Sequence, residues 1–309
     1  MSVATVSGPA QTLTASYEHC RALHRLHGRT YYLATRLLPA WKRRHVHALY
    51  GFTRYTDEIL DSPNGHSAPR RAERLREWTD RFTAALAGAP VGDPVLPAVV
   101  HTIRVFDLDL ADFAAFLRSM RMDLTRTEYD SYDDLLDYMA GSAAAIGSMM
   151  VPILGARDVA LALGPARELG LAFQLTNFIR DVGEDVERGR IYLPSKDLAE
   201  FGVTPQDLRA GVATEAVKQL IAFEVQRARE HYARAAPGIP MLQPRSQACI
   251  RTAYRLYGGI LDEVQRAGYD VFSRRATVPN RRRLAVAAAS LLTPPGRPVR
   301  RPADGERGA

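Results

Sequence analysis

The chain has 309 residues, 46% hydrophobic and 24% charged, the profile of a globular protein with a core to bury. Lysine and arginine exceed aspartate and glutamate by 41 − 34 = 7, but Arg281, Arg282, Arg283, Arg297, Arg300 and Arg301 put much of that excess near the C-terminal end. Nucleic acid is therefore disfavoured, and acidic lipid or phosphorylated small molecules remain as anionic partners.

The first residues, Met1 to Ala15, are small and polar, with no basic start leading into an apolar run, so no secretory signal is read and residues 1–14 are expected to be flexible. Helical periodicity then dominates. It predicts helices over roughly 15–37, 40–61, 68–88, 95–106, 110–121, 131–155, 158–185, 214–235, 241–266 and 280–292. Turn chemistry separates them at Ser62-Pro63-Asn64-Gly65, at residues 88–94, at Gly155, at Arg188-Gly189 and at residues 237–240. The stretch from Tyr138 to Ala156 carries no charge and approaches bilayer length. Its Ala, Gly and Ser content and Pro152 favour a buried core helix over a membrane span. From Thr293 onward little remains to bury, and residues 293–309 are expected to form a disordered basic tail. No alternating pattern supports a sheet, no Gly/Ser/Pro linker divides the middle, and no internal repeat is evident. The expectation is one all-α domain over 15–292.

Some features are set aside. Eight histidines are scattered, and His45 and His47 are two apart and so do not share a helical face; no zinc site is expected. The basic start Trp41 to His45 reads as a solvated helix end, with acidic lipid headgroups as the alternative. Two cysteines, Cys20 and Cys249, cannot build a disulfide framework, so a reducing cytoplasm is the expected location.

Two segments carry chemistry. In the first, Tyr50, Arg54, Asp57 and Asp61 follow one another at steps of four, three and four, stacking a phenol, a guanidinium and two carboxylates along one helix face. Leu49, Phe52, Ile59 and Leu60 supply apolar positions for the core. Two carboxylates one turn apart suit a hard divalent cation that completes its shell with water and phosphate oxygens. The plainer account is a solvated helix end with Arg54 paired to Asp57 or Glu58. In the second segment, Asn177, Asp181 and Asp185 are four apart, three oxygen ligands on one face, with Arg180, Arg188, Arg190 and Tyr192 close by. Arginine forks suit diphosphate oxygens. Asn is a poor helix former, so its place in line with the acids has no structural motive.

These segments resemble the squalene/phytoene synthase family. The likeness extends over roughly 17–285 and includes His27 to Pro39, Tyr138-Met-Ala-Gly-Ser-Ala143, Gln174 to Pro194 and Gly268 to Arg274. It implies a single-domain, isoprenoid-synthase-type helical bundle with a central cavity and the two aspartate motifs across its mouth. By motif, Asp57, Asp61, Asn177, Asp181 and Asp185 would hold Mg²⁺, with Mn²⁺ as a substitute. Thr30, Tyr31, Arg54, Gln174, Arg180 and Tyr192 would bind substrate, while Tyr50, Arg54, Tyr138, Asp57 and Asp181 would serve the chemistry. Where the family often has Ser-x-Ser-Phe, this chain reads Gly28-Arg-Thr-Tyr31, which leaves Gly28 itself without an expected role.

The implied reaction joins two geranylgeranyl diphosphates head to head to give phytoene. No G-x-G-x-x-G fingerprint is found, and no NADPH is expected. Alternatives on the same fold are squalene-type coupling of farnesyl diphosphate and prenyl transfer to an aromatic molecule, with a non-catalytic prenyl-binding protein as the third reading. The implied partners are prenyl diphosphates, not nucleic acid, with a weak peripheral membrane contact for product release; oligomeric state is not legible.

Overall fold

The Thr12 hydroxyl accepts the Ala15 N–H at 3.2 Å and caps the first helix. The computed structural model describes residues 12–61 and 67–297. The expected turn at residues 62–65, the first eleven residues and the end of the tail lie outside them. The backbone divides into two compact units, residues 1–110 and 111–309.

The first unit holds α1 (Leu13–His27), α2 (Arg29–Thr35), α3 (Ala40–Leu60), α4 (Ala68–Leu86) and α5 (Leu96–Phe106). Phe52 of α3 packs with Trp78 and Phe82 of α4, all buried, and the indole N–H of Trp78 donates to Thr56 Oγ1 at 2.9 Å. The single helix expected over 15–37 is two. The chain breaks at Gly28, whose backbone (φ −105°, ψ 43°) leaves the helical region.

The second unit runs through α6 (Leu110–Met122), α7 (Tyr132–Met139), a π-helical turn (Ala140–Ala144), α8 (Ala145–Leu154), α9 (Val159–Arg180), α10 (Val182–Glu187), α11 (Ser195–Glu200), α12 (Pro205–Ala210), α13 (Glu215–Ala235), a 3₁₀ turn (Ala236–Met241), α14 (Pro244–Arg266) and α15 (Asn280–Leu292). Ser131 and Asp134 form a capping box at the start of α7, and Asp158 caps α9. The expected helix over 131–155 is thus interrupted by a wide turn. There Ser119 Oγ donates to the carbonyl of Tyr138 at 2.7 Å. Small residues let backbones meet around it: a Cβ on Gly141 would collide with the Ala115 carbonyl, one on Gly147 with the Ala166 carbonyl, and one on Gly170 with the Ala143 carbonyl. Close packing by small residues, together with Met139, Met149 and Ile153, accounts for the uncharged stretch; no helix among the described residues is long and apolar enough to cross a membrane.

The helix expected over 158–185 is also two, meeting at Asp181 (φ −105°, ψ 13°). Among the described residues there is no strand, only an antiparallel bridge between Ala156 and Leu242. The start of the expected tail is tied down. Arg251, 1% exposed on α14, donates to the carbonyls of Ser290 (3.3 Å) and Thr293 (3.1 Å), and the Gly296 N–H donates to Gln247 Oε1 at 2.9 Å. The carbonyls at the end of α15 thus take the Nη1 of the buried guanidinium, and Gln247 Oε1 takes Nη2 at 3.3 Å, while Nε has no partner.

Candidate active site

In the first unit, α3 carries Tyr50, Arg54 and Asp57, and Asp61 is its C-cap, its N–H donating to the Asp57 carbonyl at 2.8 Å. The two carboxylates thus sit one turn apart at the helix end, Asp57 half-buried and Asp61 exposed. Arg54 pairs with Glu58 at 3.0 Å, and His27 lies 3.5 Å from the same oxygen. Tyr50 stacks on buried His24, centroids 4.1 Å apart and 9° from parallel. His24 Nδ1 meets His47 Nδ1 at 2.9 Å, so one ring donates and the other accepts. Burial, then the facing His47 ring, lowers His24 to about 3, and burial, then Arg21 and Arg43, lowers His47 to about 4, so both are neutral at ordinary pH. Gly28 is required here: a Cβ would stand 2.7 Å from Tyr50 Cε2 and 2.8 Å from His24 Cδ2. Thr30 and Tyr31 are half-buried on α2, two and three residues further on.

In the second unit, Gln174 and Asn177 are half-buried on α9, and Asp181 and Asp185 continue the row across the helix junction. The junction keeps them in step, because the Asp181 N–H still donates to the Asn177 carbonyl at 2.9 Å and the Asp185 N–H to the Asp181 carbonyl at 2.8 Å. Asp181 is clamped from two sides. Arg180 Nε and Nη2 reach its oxygens at 2.7 and 2.5 Å, and Arg275 Nε and Nη2 at 2.9 and 3.0 Å. Burial raises the Asp181 carboxyl, but the two guanidiniums outweigh it and hold it below the usual carboxylate range. Asp185 goes the other way: burial, then the negative charge of Asp181, pushes it up to about 7. Arg275 also reaches Glu184 at 3.3 Å. The backbone N–H groups of Arg188 and Arg190 turn back to the Asp185 carbonyl at 3.1 and 2.8 Å, bringing their loop beside the acids.

Below the ladder is an aromatic wall. Phe178 and Tyr192 stack at 4.0 Å between centroids, Tyr138 lies 5.8 Å from Tyr192, and Tyr129 closes the group. Tyr138 and Tyr192 both donate to Asp123, at 2.8 and 3.5 Å. Burial pushes both phenols well above their ordinary range, so they stay protonated. Phe178, Val182, Asp185, Arg190, Tyr192 and Leu208 line a small cleft.

The residue set suits a hard cation. Asn177 Oδ1 is buried with no hydrogen-bond partner, and Asp185 lies in a like-charge field that a cation would relieve. Sequence reading missed four participants. Arg275 reaches Asp181 across 94 residues, and Asp123 is a lone acid past the end of α6. Gly28 and His24 act through shape, which a residue pattern does not record.

The described residues, almost wholly α-helical and with oxygen ladders and arginines at helix ends, have the isoprenoid-synthase type of fold. The solved structures agree. A dehydrosqualene synthase matches with a TM-score of 0.83 at 27% identity, covering 92% of this chain and 98% of its own. A squalene synthase from Alicyclobacillus acidocaldarius matches with 0.76 at 29%, covering 84% and 97%. The family model for squalene/phytoene synthase matches residues 24–282, and the chain belongs to that family of prenyltransferases. Among curated relatives, a phytoene synthase of Arthrospira platensis is 40% identical over 280 residues, 87% of this chain and 90% of its own length. A 15-cis-phytoene synthase of Synechocystis sp. is 38% identical over 296 residues, 92% and 87% respectively.

Proposed function

We propose that this enzyme condenses two geranylgeranyl diphosphates head to head into phytoene, using Mg²⁺ and no reductant. The observation that carries the metal-assisted part is the unpartnered oxygen of Asn177 in line with Asp181 and Asp185. Kinship with phytoene synthases supports the choice of substrate.

Asn177, Asp181 and Asp185, with Asp57 and Asp61 of the first motif, would hold Mg²⁺. When bound, the metal supplies Lewis-acid neutralisation of the diphosphate leaving group. The protein does the rest. Arg180 and Arg275, now spent on Asp181, are forks of the kind that bind diphosphate oxygens bidentately, and Arg190 adds charge beside Asp185. As the C–O bond of one substrate breaks, its electron pair leaves with the diphosphate and an allylic cation remains. Water would quench that cation, so it must form against dry surface. The faces of Tyr138, Phe178 and Tyr192 offer such a surface, and each can stabilise a cation by about 0.5–2 kcal/mol. Asp123 holds two of the phenol hydroxyls at the ring edge, keeping those polar groups satisfied. Attack by the second substrate's double bond, with loss of one proton as the three-membered ring closes, gives a cyclopropylcarbinyl diphosphate; its ionisation, rearrangement and loss of a second proton give phytoene and a second diphosphate. The loss of a proton in place of a hydride gain is why no reductant enters.

We read the working form as cytoplasmic, with peripheral membrane contact to release a hydrocarbon product. The deciding experiment incubates the protein with Mg²⁺ and either geranylgeranyl or farnesyl diphosphate, without NADPH, and identifies products. Phytoene from the longer substrate is expected. A product only from farnesyl diphosphate, or only when an aromatic acceptor is added, would replace this reading.

A further inference from the structure

Beside the loop that bears Arg190 and Tyr192 lies a charged knot that the chemistry above leaves unused. Arg227 of α13 donates through Nη1 to Asp197 Oδ2 at 2.6 Å and to Glu224 Oε1 at 2.8 Å. Its guanidinium lies over the Tyr132 ring, 4.1 Å from the centroid. The Tyr132 hydroxyl meets His231 Nε2 at 2.5 Å, His231 Nδ1 meets Glu168 Oε2 at 2.7 Å, and Arg234 Nε donates to the same oxygen at 2.8 Å. Glu224 is 1% exposed, and Asp197 and His231 are buried. Such groupings are a poor way to gain stability, since apolar side chains of like volume do as well or better. Their worth is in fixed geometry.

What they fix follows from the backbone. Asp197 sits on α11, directly after the loop, and Tyr132 is the first residue of α7. The segments before these two residues lie along one another. The Ile191 N–H donates to the Thr127 carbonyl at 2.8 Å, the Ser195 N–H to the Tyr129 carbonyl at 2.8 Å, and the Lys196 N–H to the Asp130 carbonyl at 3.0 Å. Arg227 touches both flanks, Asp197 by an ion pair and Tyr132 by its ring face. We infer that Arg227 is a positioning residue: through Asp197 and Tyr132 it staples segment 188–196 to 127–130, and so sets where Arg190 and Tyr192 meet the substrate. The staple stands on geometry alone; that the loop meets a diphosphate rests on the proposed function.

The test uses Arg227→Met, which keeps the stem and removes the charge, and Arg227→Lys, which keeps the charge. Two quantities are read: hydrogen exchange at the amides of Ile191, Ser195 and Lys196, and the separate values of KM and kcat. In Arg227→Met these three amides should exchange about 10-fold faster, and KM for the prenyl diphosphate should rise about 10-fold as Arg190 shifts, with kcat falling several-fold as Tyr192 leaves the aromatic wall. Core amides of α9 should not change, and Arg227→Lys should recover most of both effects. Unchanged exchange at the three amides would overturn the staple, and faster exchange at constant KM would overturn its positioning role. If Arg227→Met does not fold, Asp197→Asn is judged by the same two measurements and the same outcomes. A wild-type protein that makes no prenyl product would defeat the proposed function, while the exchange data would still decide the staple.

Discussion

A methyl group added at residue 28 has almost nowhere to go. It would stand 2.7 Å from Tyr50 Cε2, 2.8 Å from Tyr50 Cζ and 2.8 Å from His24 Cδ2, several tenths of an ångström inside the 3.4 Å at which ordinary contact begins. His24 cannot yield, because it is buried and tied to His47. Tyr50 is half-buried and must swing away, breaking its stack on His24. Overpacking of this kind costs about 1–3 kcal/mol, and an alanine recovers roughly 0.4–1 kcal/mol through the unfolded chain. Gly28→Ala should therefore lose about 1–2 kcal/mol, a drop of roughly 1.5–3 °C in Tm. Denaturant unfolding should show a lower midpoint at unchanged slope. The displaced phenol should also depress kcat. In a Tyr50→Ala background the same methyl should cost clearly less, since one colliding ring is gone. A Gly28→Ala protein as stable as wild type, or a penalty undiminished by Tyr50→Ala, would refute the packing argument.

Other outcomes follow from the site and its surroundings. Asp→Asn at Asp57, Asp61, Asp181 or Asp185 should cut turnover by orders of magnitude without unfolding the protein, and full activity in EDTA would be the contrary result. Asn177→Ala should weaken substrate binding with little loss of Tm, because its orphaned oxygen gives the metal-free fold nothing, whereas Asp57→Asn should act mainly on kcat; identical kinetic signatures would defeat that division. Burial raises Glu224 to about 8, so the folded state holds a proton that the unfolded chain gives up near its ordinary value. That contribution is present below about pH 4.5 and is lost as pH rises to about 8, at no more than roughly 1.4 kcal/mol per pH unit. Glu224→Gln should flatten this part of the urea-unfolding profile, and an unchanged slope would count against it. Truncation after Leu292 should lower Tm more than truncation after Arg297, because it strips the Thr293 and Gly296 partners from buried Arg251 and Gln247; equal melting temperatures would say that this docking is idle.

Most helices were legible because their apolar period is strong. α3 occupies 40–60 and α15 280–292 nearly as their patterns require. What was not legible arose from neighbours far along the chain. The break at Asp181 coincides with a carboxylate gripped by Arg180 and Arg275, and the second of these lies 94 residues away. The π-helical turn at 140–144 reflects contact with Ala115 and Ser119, which the local pattern of small residues cannot distinguish from an ordinary helix. The short helices 195–200 and 205–210 offer too few residues for periodicity; the first is carried by buried Asp197 and Leu198, the second by the Thr204–Asp207 capping box and buried Leu208. The oxygen ladder was readable because its four-residue spacing survives the helix junction, where the Asp181 and Asp185 N–H groups still donate to the carbonyls four residues back. Its counter-ions and aromatic wall were only half-readable: Arg180 and Tyr192 adjoin the motif, while Asp123 and Arg275 reach it only in the folded chain.

The close backbone crossings at Gly141, Gly147 and Gly170 bear on how sequence variation in this protein is interpreted. Each leaves no room for even a methyl group against a carbonyl of a neighbouring segment. In a saturation screen scored by product, all three should be as intolerant as the acids proposed to hold Mg²⁺, although none carries a functional group. Intolerance alone would then inflate the apparent catalytic map with positions whose only task is proximity. Scoring soluble protein beside product separates the classes: glycine variants should vanish from both, and acid-ladder variants from product alone.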